Sequence, residues 1–328
     1  MKKRVIFLIT IDTEEEWDWS GPLPVPPYST ENISYIHEFQ DLCRSLSIIP
    51  TYFVDHAVVE KEENCATLKS YFKKKECDIG AHLHPWCNPP VTEEINDHNS
   101  FIINLPILLV ERKLKKLTDI IKERFGIHPF SFRSGRWGMD GKIMRLLAHY
   151  GYQVDSSIRP FYSEKDFSYD NALLYPYYPD FENCLAQGKQ RSLLEIPATA
   201  GFTLPWFQFS NKLYRILSTP KVARLHVIGI LWRLKLLRKV AITPEGYTTE
   251  DICRCIDMNI HNGNSVINLF FHSSDLRPGS TAYVTTPQDK QNFFRTIENV
   301  VTYIQKTYHA DFLTIREAYT KMLEENLS

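Results

Sequence analysis

Seven consecutive residues near the start, Val5 to Ile11 (Val-Ile-Phe-Leu-Ile-Thr-Ile), constrain the fold more than any other stretch. They are mostly β-branched or aromatic and are bounded by Lys2, Lys3 and Arg4 on one side and by acids on the other. Such a run is predicted to be a strand buried on both faces, as in a parallel sheet whose faces are covered by helices. It ends at Asp12 and Glu14, whose i, i+2 spacing points both carboxyls to one side of an extended chain. Carboxylates at the C-terminal edge of an inner parallel strand stand where α/β folds place their chemistry. The same residues also suit a helix start, with Asp12 or Thr13 capping a turn through Glu14-Glu15-Glu16. The stretch alone leaves both readings open.

The rest of the chain alternates strand-like and helix-like segments. An aromatic, proline-rich loop (Trp17 to Tyr28) follows the first strand, and its prolines exclude both helix and central strand. Helices are expected over 32–46, 66–75, 109–125, 142–150 and 292–307, and a further amphipathic stretch over 227–240. Strands are expected at 48–54, near 77–83, and at 130–133, 152–156, 193–199, 266–272 and 311–314. Alternation of this kind predicts parallel pairing through right-handed crossovers. The expected architecture is a single α/β barrel over 1–328, interrupted by an insertion at about residues 160 to 250.

A formal net charge of -1 argues against wholesale nucleic-acid binding. The seven cysteines show no zinc-ribbon spacing, and the opening apolar run ends too soon for a signal peptide. A cytoplasmic setting is therefore expected.

Three further polar groups close apolar segments. His82 and His84 share a face of extended chain, and Pro85 stops a helix from forming there. Two imidazoles beside a carboxylate make a common site for a divalent transition metal. His272 ends the run Asn268-Leu269-Phe270-Phe271, where a core histidine and a functional one are both open readings. Arg133 ends another run, either as a surface residue or as the partner of a mouth carboxylate such as Asp12. Trp17, Trp19 and Tyr28 offer stacking surface beside the carboxylates.

Taken in order, Thr10-Ile11-Asp12-Thr13-Glu14, Asp78-Ile79-Gly80-Ala81-His82-Leu83-His84-Pro85-Trp86, Phe132-Arg133-Ser134-Gly135-Arg136-Trp137-Gly138 and Leu269-Phe270-Phe271-His272-Ser273 resemble the motifs of the polysaccharide deacetylase superfamily, the NodB-homology carbohydrate esterases, with the WalW-like branch nearest. The resemblance implies a distorted (β/α) barrel with one divalent metal, commonly Zn2+, that hydrolyses an N-acetyl amide on an amino sugar. It implies Asp12 as general base, His272 as general acid and Arg133 as the residue orienting the base, with Asp155 tuning His272. Thr13 stands where the family has its metal-binding second acid, so the ligand role passes to Glu14. Trp86 stands where the family has its second histidine, so that role passes to His84 beside His82. Trp17, Trp86, Arg136 and Trp137 are the expected substrate contacts.

Between Glu195 and Glu245 the chain has no acidic residue, while Lys212, Arg215, Lys221, Arg224, Arg233, Lys235, Arg238 and Lys239 lie among Trp206, Phe207, Phe209, Tyr214 and Trp232. Basic amphipathic segments of this kind lie on anionic membrane surfaces or pack against a barrel with the basic side in water. The expected function is removal of an N-acetyl group from surface polysaccharide or its lipid-linked precursor. The alternatives are a deformylase on a lipid-linked sugar, a catalytically inert sugar-binding barrel, and a glycosidase, for which the histidine pair has no use.

Overall fold

The computed structural model describes residues 2–19, 21–219, 224, 226–234 and 236–327. The opening run forms β1 (Arg4–Thr13), buried from Val5 onward, and no helix starts at Asp12. Its odd-numbered residues Val5, Phe7, Ile9 and Ile11 pack outward among the helices, while Ile6 and Leu8 belong to a separate inner cluster. Thr10 and Asp12 continue the inner face by the same alternation.

Around β1 the sheet is parallel throughout. One edge of β1 pairs with β9 (Val266–His272), and the other pairs with β10 (His309–Phe312) along its first half and β2 (Thr51–Val54) along its second. From β2 the order runs through β3 (Asp78–Leu83), β4 (Ser131–Ser134), β5 (Val154–Asp155) and β6 (Leu194–Glu195). The sheet curls through 233° into a half-barrel ringed by helices, the expected distorted (β/α) barrel. The open side between β6 and β9 is bridged by Thr199 and Ile242. Thr199 N–H donates to the Asn268 carbonyl, Ile242 N–H to the Thr199 carbonyl, and Phe270 N–H to the Ile242 carbonyl. The inner cluster also includes Ile315 and Ala318, from a helix (Ile315–Leu327) that the sequence reading did not place.

Between β6 and β9 the chain makes an excursion containing a two-stranded antiparallel sheet, β7 (Ala200–Phe202) and β8 (Lys239–Ala241). Expected helix 227–240 is shorter than its pattern suggested: it spans Val227–Arg233 and gives way to β8. Tertiary pairing overrides the helical spacing there, with Val240 and Ala241 buried and in register with Gly201 and Ala200. Lys221 and Lys235 lie outside the described residues.

The inner layer makes β1 intolerant of truncation. Leu8→Ala, at a position with 0% exposure, is expected to cost about 2–5 kcal/mol in chemical denaturation, with the slope of the transition unchanged.

Candidate active site

Parallel registry brings the polar strand ends to one rim. Asp12 is paired with His272 across β1 and β9, and His82 with Arg133 across β3 and β4. Arg133 is wholly buried and makes four hydrogen bonds: Nη1 to Asp12 Oδ1 (2.7 Å), Nη2 to Thr10 Oγ1 (2.9 Å) and Ser156 Oγ (3.0 Å), and Nε to the Ser156 carbonyl (3.0 Å). Its guanidinium lies over the Phe53 and Trp137 rings at 4.5 and 5.3 Å. Burial alone would raise the Asp12 carboxyl, but Arg133 and the nearby His82 and His272 outweigh it and hold Asp12 below the ordinary range.

The opposite side of the rim holds the histidine pair. His82 Nδ1 lies 3.0 Å from the Arg133 backbone carbonyl, which can only accept, so this nitrogen carries the proton. His84 Nδ1 lies 3.2 Å from both Glu15 carboxylate oxygens, which fixes the same tautomer. Burial pushes His82 down to about 3 and His84 down to about 4, so both rings are neutral near pH 7. Each therefore presents a bare Nε2 lone pair, and both point at Glu14 Oε2, from 3.0 Å (His82) and 3.5 Å (His84).

Three acceptors thus converge in a buried space, an arrangement that needs a shared proton or a cation at its centre. Burial, with Glu15, Asp12, Asp55 and Glu245 nearby, drives the Glu14 carboxyl well above its ordinary value, so the site lacks positive charge. Glu14, His82 and His84 have ligand atoms within 4.8 Å of one another. This donor set of two neutral imidazoles and a carboxylate fits a divalent transition metal. The backbone is clamped to match. Glu14 N–H donates to Ser273 Oγ (3.1 Å), and Asn32 Nδ2 donates to the Glu14 carbonyl (2.9 Å) and to Ser273 Oγ (2.8 Å).

His272 faces Asp12 across 3.8 Å, Nε2 to Oδ2, and its Nδ1 lies 2.8 Å from Glu245 Oε1. The same Glu245 oxygen accepts from the His272 backbone N–H at 2.9 Å. Burial opposes a charged ring here, but Glu245, aided by Asp12 and Asp275, raises His272 to about 9. The partner of His272 is therefore Glu245 and not Asp155. Asp155 accepts from Ser157 Oγ (2.6 Å) and lies beside the buried Glu195, with burial pushing it up to about 6.

Two expected substrate contacts are displaced by burial. Trp86 is 1% exposed, stacks on His84 (centroids 4.2 Å apart) and donates Nε1–H to Glu15 Oε1 at 2.5 Å. It braces a histidine and presents no face to solvent. Trp137 is likewise buried, lying beneath Arg133 and Arg159. Trp17 and Arg136 do lie at the rim, partly exposed, with the guanidinium 5.8 Å from the Trp17 ring and paired with Asp97. Trp19, exposed, stacks on Trp17 and meets the His272 ring edge-on with centroids 4.4 Å apart.

Glu15, Asp55 and Glu245 were not singled out from sequence. Asp55 directly follows β2, so the strand-end criterion that found Asp12 would have found it too. Glu245 was visible only as the first acid after a long acid-free stretch.

Solved structures share this architecture. A protein from Mycobacterium smegmatis assigned as a polysaccharide deacetylase superposes with a TM-score of 0.58 at 13% identity, over 100% of this chain and 93% of that one. A glycoside hydrolase/deacetylase assignment from Parabacteroides distasonis gives 0.57 at 14% identity, over 95% and 70%. The Puue allantoinase gives 0.54 at 11% identity, over 96% and 89%. In sequence, no family model and no curated protein matches the chain. The likeness therefore defines a fold: the chain is a distorted (β/α) barrel. More particularly, it has the fold of the polysaccharide deacetylases, as its strand-end motifs suggested.

Two outcomes test this geometry. Because the folded His272 value of about 9 exceeds the roughly 6.5 of a free imidazole, its pairing with Glu245 stabilises the fold fully below about pH 6.5 and is lost as pH rises through about 9. Glu245→Gln is expected to move the His272 titration toward neutrality, read by NMR of the ring protons. Separately, a Cβ at Gly135 would lie 1.9 Å from His84 Cδ2. Gly135→Ala is expected to displace that ring, read as a shift of the His84 ring-proton signals in NMR.

Proposed function

We propose that this chain is a metal-dependent hydrolase that removes an N-acetyl group from an amino sugar of surface polysaccharide or its lipid-linked precursor. The observation that carries the reading is the convergence of the Glu14, His82 and His84 lone pairs beside an Arg133-held Asp12 and a Glu245-held His272. We take residues 1–328 as one catalytic domain, with an insertion at about 160–250.

Glu14, His82 and His84 would hold the divalent metal, with Zn2+ the best match to their donors, and it would supply Lewis-acid polarisation and a lowered water pKa. The chain's own groups supply the proton transfers. Asp12, kept ionised by Arg133, has Oδ2 directed away from the guanidinium and takes a proton from the attacking water as general base. His272, charged below about pH 9, gives its proton to the departing amine nitrogen as the C–N bond breaks. Water and the N-acetylated sugar thus become acetate and an amino sugar, and the same chemistry would release formate from a formyl substrate. The stacked, exposed Trp19 beside His272 suits the apolar face of a sugar ring. That supports a saccharide substrate.

The test is acyl release from N-acetylhexosamine oligosaccharides, with acetate and formate quantified separately. Asp12→Asn is expected to lower kcat by about a hundredfold to ten-thousandfold. Chelation and His84→Ala are expected to abolish turnover, with zinc restoring only the chelated wild type. Full activity in His84→Ala would overturn the metal assignment, and saccharide binding without acyl release from any substrate would favour an inert barrel.

A further inference from the structure

The excursion between β6 and β9 has an outer face that the proposed chemistry does not use. Its inner side is ordinary core: Phe207 and Leu237 are buried with Phe161 and Phe202. The helices Phe207–Leu217 and Val227–Arg233 contact each other. Their outer side is also apolar. Trp206 is 68% exposed, Phe209 64%, Ile216 51%, Ile230 55%, Leu234 60% and Leu236 53%. Phe209, Lys212 and Ile216 fall on one stripe of the first helix, and Ile230, Arg233 and Leu234 on one stripe of the second. A helix apolar on both sides is not a solvent-facing helix.

The charge on this face has one sign. No acid occurs between Glu195 and Glu245. Two cations of this acid-free stretch are neutralised by acids that flank it in sequence, Arg215 by Asp170 and Arg238 by Asp251. Lys212, Arg224 and Arg233 remain exposed among the apolar residues. Exposed Trp, Phe and Leu interleaved with cations and no acids complement the apolar–anionic boundary of a phospholipid bilayer. No helix among the described residues is long and apolar enough to cross a membrane. The face also connects to the site. Trp232 packs 6.3 Å from Tyr247, two residues beyond the Glu245 that holds His272.

We propose that the Trp206–Leu236 face docks this protein onto anionic lipid bilayers. If the deacylase reading holds, on which this extension rests, the preferred substrate is a saccharide carried on a lipid at that surface.

The docking test needs no turnover. Wild-type protein is sedimented with vesicles of phosphatidylcholine alone and with vesicles holding about 30 mol% phosphatidylglycerol, at about 0.1 M and about 0.5 M salt. Binding is expected to the anionic vesicles, weaker at high salt, and at least about tenfold weaker to the neutral ones. Lys212→Gln/Arg233→Gln is expected to weaken it about 25-fold, at about fivefold per cation. Trp206→Ser/Phe209→Ser is expected to lose at least about tenfold. Thermal unfolding and acyl release from a short soluble oligosaccharide are expected to match wild type in both variants. No binding to anionic vesicles, or equal binding by wild type and both variants, would overturn the proposal. So would a concentration-dependent doubling of mass that Trp206→Ser/Phe209→Ser abolishes without any vesicle binding, since the face would then join two copies of the chain. Absence of acyl release alongside intact vesicle binding would remove the deacylase reading and leave the docking in place.

Discussion

Arg133 ties together the two halves of the site. Its side chain grips Asp12 and Thr10 from β1, while its backbone carbonyl fixes the proton on His82 of β3. One residue on β4 therefore sets both the ionisation of Asp12 and the tautomer of His82. Burying a guanidinium completely is costly unless its donors are met. Here four are met, and Phe53 and Trp137 cover the planar faces.

Around that cation the carboxyl groups are in excess. Glu15 and Asp55 are buried side by side next to His84 and Cys87, and burial together with Glu15 lifts the Asp55 carboxyl well above its ordinary range. Burial and Glu245 do the same to Asp275. Glu14 lies innermost and faces two bare imidazole nitrogens. The acids beyond it orient the histidines, while burial keeps both imidazoles neutral.

Much of this was legible in the sequence because of one physical regularity. A strand buried on both faces has few polar residues, so those at its C-terminal edge stand out. Asp12, Glu14, His82, His84, Arg133 and His272 were all found that way, and the structure brings all six to one rim. Glu15 and Glu245 escaped because they lie on irregular chain after a strand, where no periodicity says which way a side chain turns. Asp155 met the strand-end criterion, but Ser157 and Glu195 occupy it; position along a strand does not reveal partners from the next. Trp86 and Trp137 looked like ligand platforms because an indole beside a site can face either way. Both turned inward, where Trp86 finds an acceptor in Glu15 and Trp137 covers Arg133.

The pairing of β1 with β9 has a consequence for how the chain acquires its shape. Asp12 and His272 become neighbours only when a strand from near the beginning docks against one from near the end. The β2–β3–β4 ladder can form earlier, from segments closer in sequence, and with it the meeting of the histidine pair and Arg133. On a ribosome, β1 would emerge first yet wait with one edge unpaired until β9 had been made. Contacts this distant in sequence slow folding, and an unpaired apolar strand invites association with other chains. The half-site around His82 and His84 would thus exist before the half-site that joins Asp12 to His272.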